Sequence, residues 1–188
     1  TGYIVACQNT AEISNLKENS NDEEFAGGIV AILETATIEN SKNTGNVIGS
    51  TNIGGIAGES KGTITQCRND GQVSKVVGVI CKTVNLGGLV GKNGEAARLS
   101  NSKNHGNVNS ETDTLVNLGG ICGILYNNSI VELCENNGAI SGSGKEIVPN
   151  EDINTNCASC TSNNGGSAST DDFGQLNIGI IYGKYQEI

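Results

Sequence analysis

Two short signatures recur along the chain at near-constant spacing, and such a recurrence constrains the fold more tightly than any property of composition. The first is Gly-Gly followed by two small or branched apolar residues. It occurs at Gly27-Gly28-Ile29-Val30, Gly54-Gly55-Ile56-Ala57, Gly87-Gly88-Leu89-Val90 and Gly119-Gly120-Ile121-Cys122, with Gly179-Ile180-Ile181-Tyr182-Gly183 as a worn fifth copy. An apolar residue precedes it at Ile53, Leu86, Leu118 and Ile178. The second signature runs apolar, two spacers, Cys or Ser, a polar residue, Asn, a spacer, Gly, a spacer, then Val or Ile. It fits Ile38 to Val47, Ile64 to Val73, Leu99 to Val108 and Val131 to Ile140, and also Ile4 to Ile13 except that Ala11 replaces Gly. The residue opening the second signature follows the first Gly of the first by 11, 10, 12 and 12 residues, so one unit alternates the two.

Units of 27, 33 and 32 residues, from Gly27 to Gly54 to Gly87 to Gly119, would suit helix pairs or a solenoid of strands. Composition decides. The signatures are rich in Gly, Asn, Thr and β-branched residues and poor in Ala, Leu and Glu, which favours short strands divided by turns. In Thr63-Ile64-Thr65 the period is two, with Ile64 inward and both threonines outward. The Asn-x-Gly that follows, as in Asn104-His105-Gly106, is expected to supply a residue tolerating positive φ at a corner. The predicted fold is all-β: a parallel β-solenoid of about five to six coils with three short strands per coil. With 27 Gly, 1 Pro and 3% aromatic residues, its core is thin and built from Val, Ile, Leu, Ala and Cys. Residues 1–142 are read as solenoid coils, 143–172 as an irregular insertion or degenerate coil, and 173–188 as a terminal partial coil.

Parallel stacking lines equivalent residues into columns about 4.8 Å apart. One column is Asn9, Asn43, Asn69, Asn104 and Asn136, whose amides can bond to their copies above and below while satisfying the corner backbone. Asn43, Asn69, Asn104 and Asn136, with Gly45, Gly71, Gly106 and Gly138, are therefore structural positions. Cys7, Cys67 and Cys134 share a column with Ser41 and Ser102 between them. Two coils separate them by about 9.6 Å, twice the strand spacing and beyond disulfide reach. Only Cys134 has a neighbour one coil on, in Cys157 or Cys160, and a Cys134 to Cys160 bridge would pin the irregular stretch to the stack.

The pairing of a Gly-Gly-Leu-Val-Gly-type strand with a Cys-x-Asn-x-Gly-x-Val turn resembles the GLUG-motif repeat family. Gly87-Gly88-Leu89-Val90-Gly91-Lys92-Asn93 is the nearest single match, and the resemblance covers about residues 2–142 and 174–184. It implies a β-solenoid segment of a large secreted or surface protein. The family's relatives include adhesin-like proteins and the amino-terminal regions of some immunoglobulin-cleaving metallopeptidases. The sequence departs from the pattern at Ile180, where the second Gly is lost, and across Ser143 to Asp172.

Chemistry is sparse by comparison. No His-Glu-x-x-His or Gly-x-Ser-x-Gly occurs, and Gly142-Ser143-Gly144-Lys145 lacks phosphate-loop spacing. The single His105 sits in a turn spacer. Cys157 and Cys160 form the only close cysteine pair among 7 Cys, one pair short of a zinc site, and no calcium loop is present. No catalytic residue, metal or cofactor is therefore expected. A net charge of −9, from 11 Lys and Arg against 20 Asp and Glu, argues against nucleic acid and anionic membranes as partners. No run approaches the roughly 18 apolar residues that insert into a membrane.

The expected role is a non-enzymatic extracellular structural or cell-surface adhesion module. Its partners would be glycans, neighbouring repeats, or copies of itself joined head to tail, since the two chain ends are complementary fractions of one coil. A sequon at Asn127 would accept an N-glycan in a eukaryotic source. The alternatives are a carbohydrate-active β-helix enzyme, which needs carboxylates on neighbouring coils, and an ice-binding solenoid, which needs a long Thr-x-Thr ladder.

Overall fold

The computed structural model describes the backbone of residues 2–15, 23–79, 81, 83–111, 115–126, 128–149, 157–158, 160–162, 166–179 and 182–186. It describes side chains up to residue 142, apart from 111 and 115, and at 160 and 161. Among these residues the secondary structure is all strand, and the strands pair in parallel from one coil to the next. The chain is a β-solenoid.

One turn consists of Asn52–Gly54, Ala57–Ser60, Thr63–Thr65, Arg68–Asn69 and Val73–Lys75, five strands where three were expected. The Gly-Gly pair divides what the sequence presents as one strand. A Cβ on Gly54 would lie well under 3.0 Å from the Ala57 carbonyl oxygen, so the backbone folds back there more tightly than any other residue permits. A second division comes at the spacer before Cys or Ser, where a corner sets off the two-residue Arg68–Asn69 strand. From Ile4 through Ile38, Ile64 and Leu99 to Val131 the chain completes about four turns, slightly fewer than the five to six expected.

The strands assemble into four sheets. Sheet A has six strands and carries the Ile4, Ile38, Ile64, Leu99, Val131 column. Sheet B, also six-stranded, carries the Asn column. Sheet C has ten strands, and sheet D has five, running from Val30–Leu33 through Ala57–Ser60, Val90–Asn93 and Cys122–Tyr126 to Tyr182–Gln186. The stretch read as an irregular insertion or degenerate coil contributes rungs of its own. Cys157–Ala158 pairs with Val131 and Glu132, and Thr161–Ser162 with Glu135 and Asn136.

The interior has two apolar lobes. One gathers Ile38, Ile64, Leu89, Leu99, Ile121 and Leu125 between sheets A and D. The other gathers Val47, Ile53, Val73, Leu86, Val108 and Leu118 along sheet C. Between them lies a waist of glycine. A Cβ on Gly91 or Gly123 would run into the backbone nitrogen of Ile53 or Leu86, so sheets C and D touch there through bare main chain. The second Gly of each pair faces an Asn of sheet B: a Cβ on Gly55 or Gly88 would occupy the space of the Asn69 or Asn104 amide. The two signatures therefore belong to one contact, a glycine on one side of the coil and the amide it admits on the other.

The Asn column is continuous. Asn9 Nδ2 donates to Asn43 Oδ1 at 2.8 Å, Asn43 to Asn69 at 2.8 Å, Asn69 to Asn104 at 2.9 Å and Asn104 to Asn136 at 2.9 Å. Each of the last four Nδ2 groups also donates to the carbonyl two residues on, at Gly45, Gly71, Gly106 and Gly138. A second ladder was not anticipated. Asn117 Nδ2 donates to Asn85 Oδ1 at 2.7 Å and Asn85 to Asn52 at 2.8 Å, while Asn52 donates to the Glu24 carbonyl at 3.3 Å. The first ladder donates toward higher residue numbers and the second toward lower ones.

Two sequence expectations need correction here. Gly45, Gly71, Gly106 and Gly138 do not supply positive φ. Each is needed because a Cβ would collide with the carbonyl of the preceding coil, as Gly106 would with Gly71. The positive-φ corner is instead the residue just before Cys or Ser: Ala6 at 53°, Asn40 at 51°, Gln66 at 54°, Asn101 at 50° and Leu133 at 51°. The second correction concerns the disulfide. Cys134 is a free thiol while Cys160 is disulfide-bonded, so the Cys134 to Cys160 bridge is not formed. Cys134 Sγ approaches the Glu132 carbonyl at 3.3 Å, as Ser102 Oγ does that of Ser100 at 2.8 Å.

Candidate functional site

Because the repeated residues face inward, a site has to be sought where outward columns depart from repetition. On sheet D the outward column reads Ile32, Glu59, Lys92 and Ile124 in register. Opposite charges thus occupy adjacent rungs. Parallel pairing places Glu59 directly beside Lys92, and the Lys92 ammonium lies 3.5 Å from Glu59 Oε1. From outside the strand, Glu23 closes on the same ammonium through both carboxylate oxygens at 3.0 Å. The Tyr126 ring centroid is 6.0 Å from Lys92 Nζ, within range of a cation–π contact.

These groups line a cavity of about 470 Å³ together with Lys61, Gly94 and Glu95. Its inner members are well covered: Glu59 is 6% exposed, and the Lys92 side chain is 15% exposed. Burial pulls the Lys92 pKa down. The Glu23 hydrogen bonds and the charges of Glu59, Glu23 and Tyr126 more than reverse this, and the net pKa is raised. Lys92 is a fixed cation and no general base. Among the described residues no group of three or more His, Cys, Asp or Glu side chains is arranged to hold a metal ion.

None of the residues singled out from the sequence lines this cavity. Asn43, Asn69, Asn104 and Asn136 are fully buried in their ladder. Asn127 lies outside the described residues. Glu59 is a carboxylate on a strand, Ala57–Ser60, one coil from Lys92. The signal was present in the aligned copies, as Gly58-Glu59 and Gly91-Lys92, but a charge pair one coil apart has meaning only once the register is known. Comparison with family models, with curated proteins and with solved structures finds no match.

Proposed function

We propose that the chain is a non-enzymatic extracellular module, a rigid structural or adhesive segment of the kind that the resemblance to GLUG-motif repeats implies. The observation that carries this reading is the division of labour between faces. Residues that recur from turn to turn, the two Asn ladders, the Ser and Cys column and the glycine waist, are consumed in internal contacts. Outward columns vary freely: Tyr3, Thr37, Thr63, Arg98 and Ile130 follow one another on sheet A, and Gln8, Lys42, Arg68, Lys103 and Glu135 on sheet B. Such a body offers stiffness and length, with recognition left to whichever surface residues vary.

Its partners are further turns of the same kind or copies of itself. Tyr3–Val5, Gln8–Asn9 and Ile13–Ser14 each stand at the edge of the described stack, with one side of the backbone available for pairing. An ice-binding role fits less well, since Thr65 stacks between Glu39 and Ser100. The test is a panel of polysaccharides incubated with the purified chain and followed for new reducing ends or unsaturated products. No turnover is expected. Cleavage abolished by Glu59→Gln would replace this reading with the carbohydrate-active one.

A further inference from the structure

We propose that the sheet D cavity is a binding subsite for one unit of an uncharged saccharide. The inference rests on the adhesive form of the reading above and names its ligand. Three features select the chemistry. The volume of about 470 Å³ falls within the usual range of small-ligand sites, in an open depression lined by Glu59, Lys61, Lys92 and Tyr126. The lining offers carboxylate acceptors and ammonium donors side by side, and the hydroxyl is the ligand group that donates and accepts at one atom. With three carboxylates, from Glu23, Glu59 and Glu95, against the two ammonium groups of Lys61 and Lys92, the cavity repels an anionic ligand.

Preorganisation supports the same assignment. Glu23 and Glu59 are held by Lys92 before any ligand arrives, so little side-chain freedom is lost on binding. Tyr126 adds an aromatic wall to which the C–H face of a pyranose can pack. Gly94 keeps the mouth open. A Cβ there would come within 3.1 Å of Lys61 Cγ and 3.3 Å of the Ser60 carbonyl, and a longer side chain would project over the cavity.

The experiment is saturation-transfer NMR followed by calorimetric titration of the full chain. The probes are neutral hexose and N-acetylhexosamine oligosaccharides, with a uronate-containing oligosaccharide for comparison. At least one neutral probe is expected to bind, and the uronate to bind more weakly. Glu59→Gln and, separately, Gly94→Gln should each weaken binding by about tenfold or more with the circular dichroism spectrum unchanged. Gly94→Gln removes no charge and no hydrogen bond, so it reads the cavity rather than the stability of the ion pairs. Neutral-sugar binding that survives both substitutions overturns the subsite while leaving glycan adhesion in place elsewhere on the solenoid. Preference for the uronate, or no binding at all, overturns it too, and the structural form of the proposed function then stands on its own test.

Discussion

At the scale of single residues, the corner before Cys or Ser is the most demanding position in the coil. Five residues there adopt positive φ, and only Asn40 and Asn101 are of a type that tolerates it well. Leu133 has the same φ of 51° and is 55% exposed, so it contributes little burial to offset the strain. Leu133→Asn is expected to stabilise the fold by about 1 kcal/mol, read as a higher urea midpoint with an unchanged slope. The thiols beneath these corners make a second prediction. Burial pushes the Cys134 pKa up to about 11, and raises Cys67 for the same reason, against opposing backbone hydrogen bonds. A thiol raised in the folded state stabilises it fully at pH values below the unfolded pKa. That share is lost as pH climbs from about 9 toward 11. Serine already occupies this column at 41 and 102 with equivalent hydrogen bonds. The double variant Cys67→Ser, Cys134→Ser should therefore fold, and should lose less stability than the parent between those pH values in parallel urea titrations.

At the scale of elements, the two Asn ladders hold the coil closed where its apolar lobes do not reach. Asn69 donates to Gly71 O and Asn104 Oδ1, and accepts from Asn43 Nδ2 and the Gly71 amide, all in full burial. Asn9, at the first rung, is only partly buried. Asn69→Ala is expected to cost about 3 kcal/mol or more and Asn9→Ala about 1 kcal/mol, so that position in the ladder, rather than residue type, sets the loss in chemical denaturation. This is also where reading from sequence succeeded and where it stopped. The Asn9 to Asn136 column was legible because a fixed spacing to Gly and Val gives its register directly. The Asn52, Asn85, Asn117 ladder was written just as plainly, two residues before three of the four Gly-Gly pairs, but the glycines drew the reading to themselves. The role of Gly71 or Gly106 had no local sign at all, since it comes from a carbonyl about one coil away. The positive-φ corner was hidden by its own variety: Ala, Asn, Gln, Asn and Leu share no side-chain chemistry, only a backbone need. Glu59 and Lys92 were invisible for a related reason, because each is an ordinary surface charge until stacking makes them neighbours.

For the molecule as a whole, contacts run between neighbouring rungs, so length is a variable that the fold can change without altering its cross-section. Removing residues 55–87 would join Gly54 to Gly88, which occupies the place of Gly55 in the next unit. Asn52 would then stack against Asn117 in place of Asn85, and Asn43 against Asn104 in place of Asn69, through the same bonds that now link adjacent rungs. The waist would close as before, because Gly91 would face the same kind of backbone that Gly58 faces now. This in-phase deletion is expected to give a folded chain with the same β-type circular dichroism per residue. Its urea slope should fall roughly in proportion to the surface lost with one of about four turns. Removing only residues 55–71 deletes half a turn and brings a sheet C strand to the place of a sheet D strand. Gly-lined and Ile-lined faces then meet the wrong partners, the ladders lose register, and the chain should fail to show a cooperative transition. If both deletions behaved alike, the coil would not be the unit of stability, and the equivalence of its rungs would be one of shape without energetic meaning.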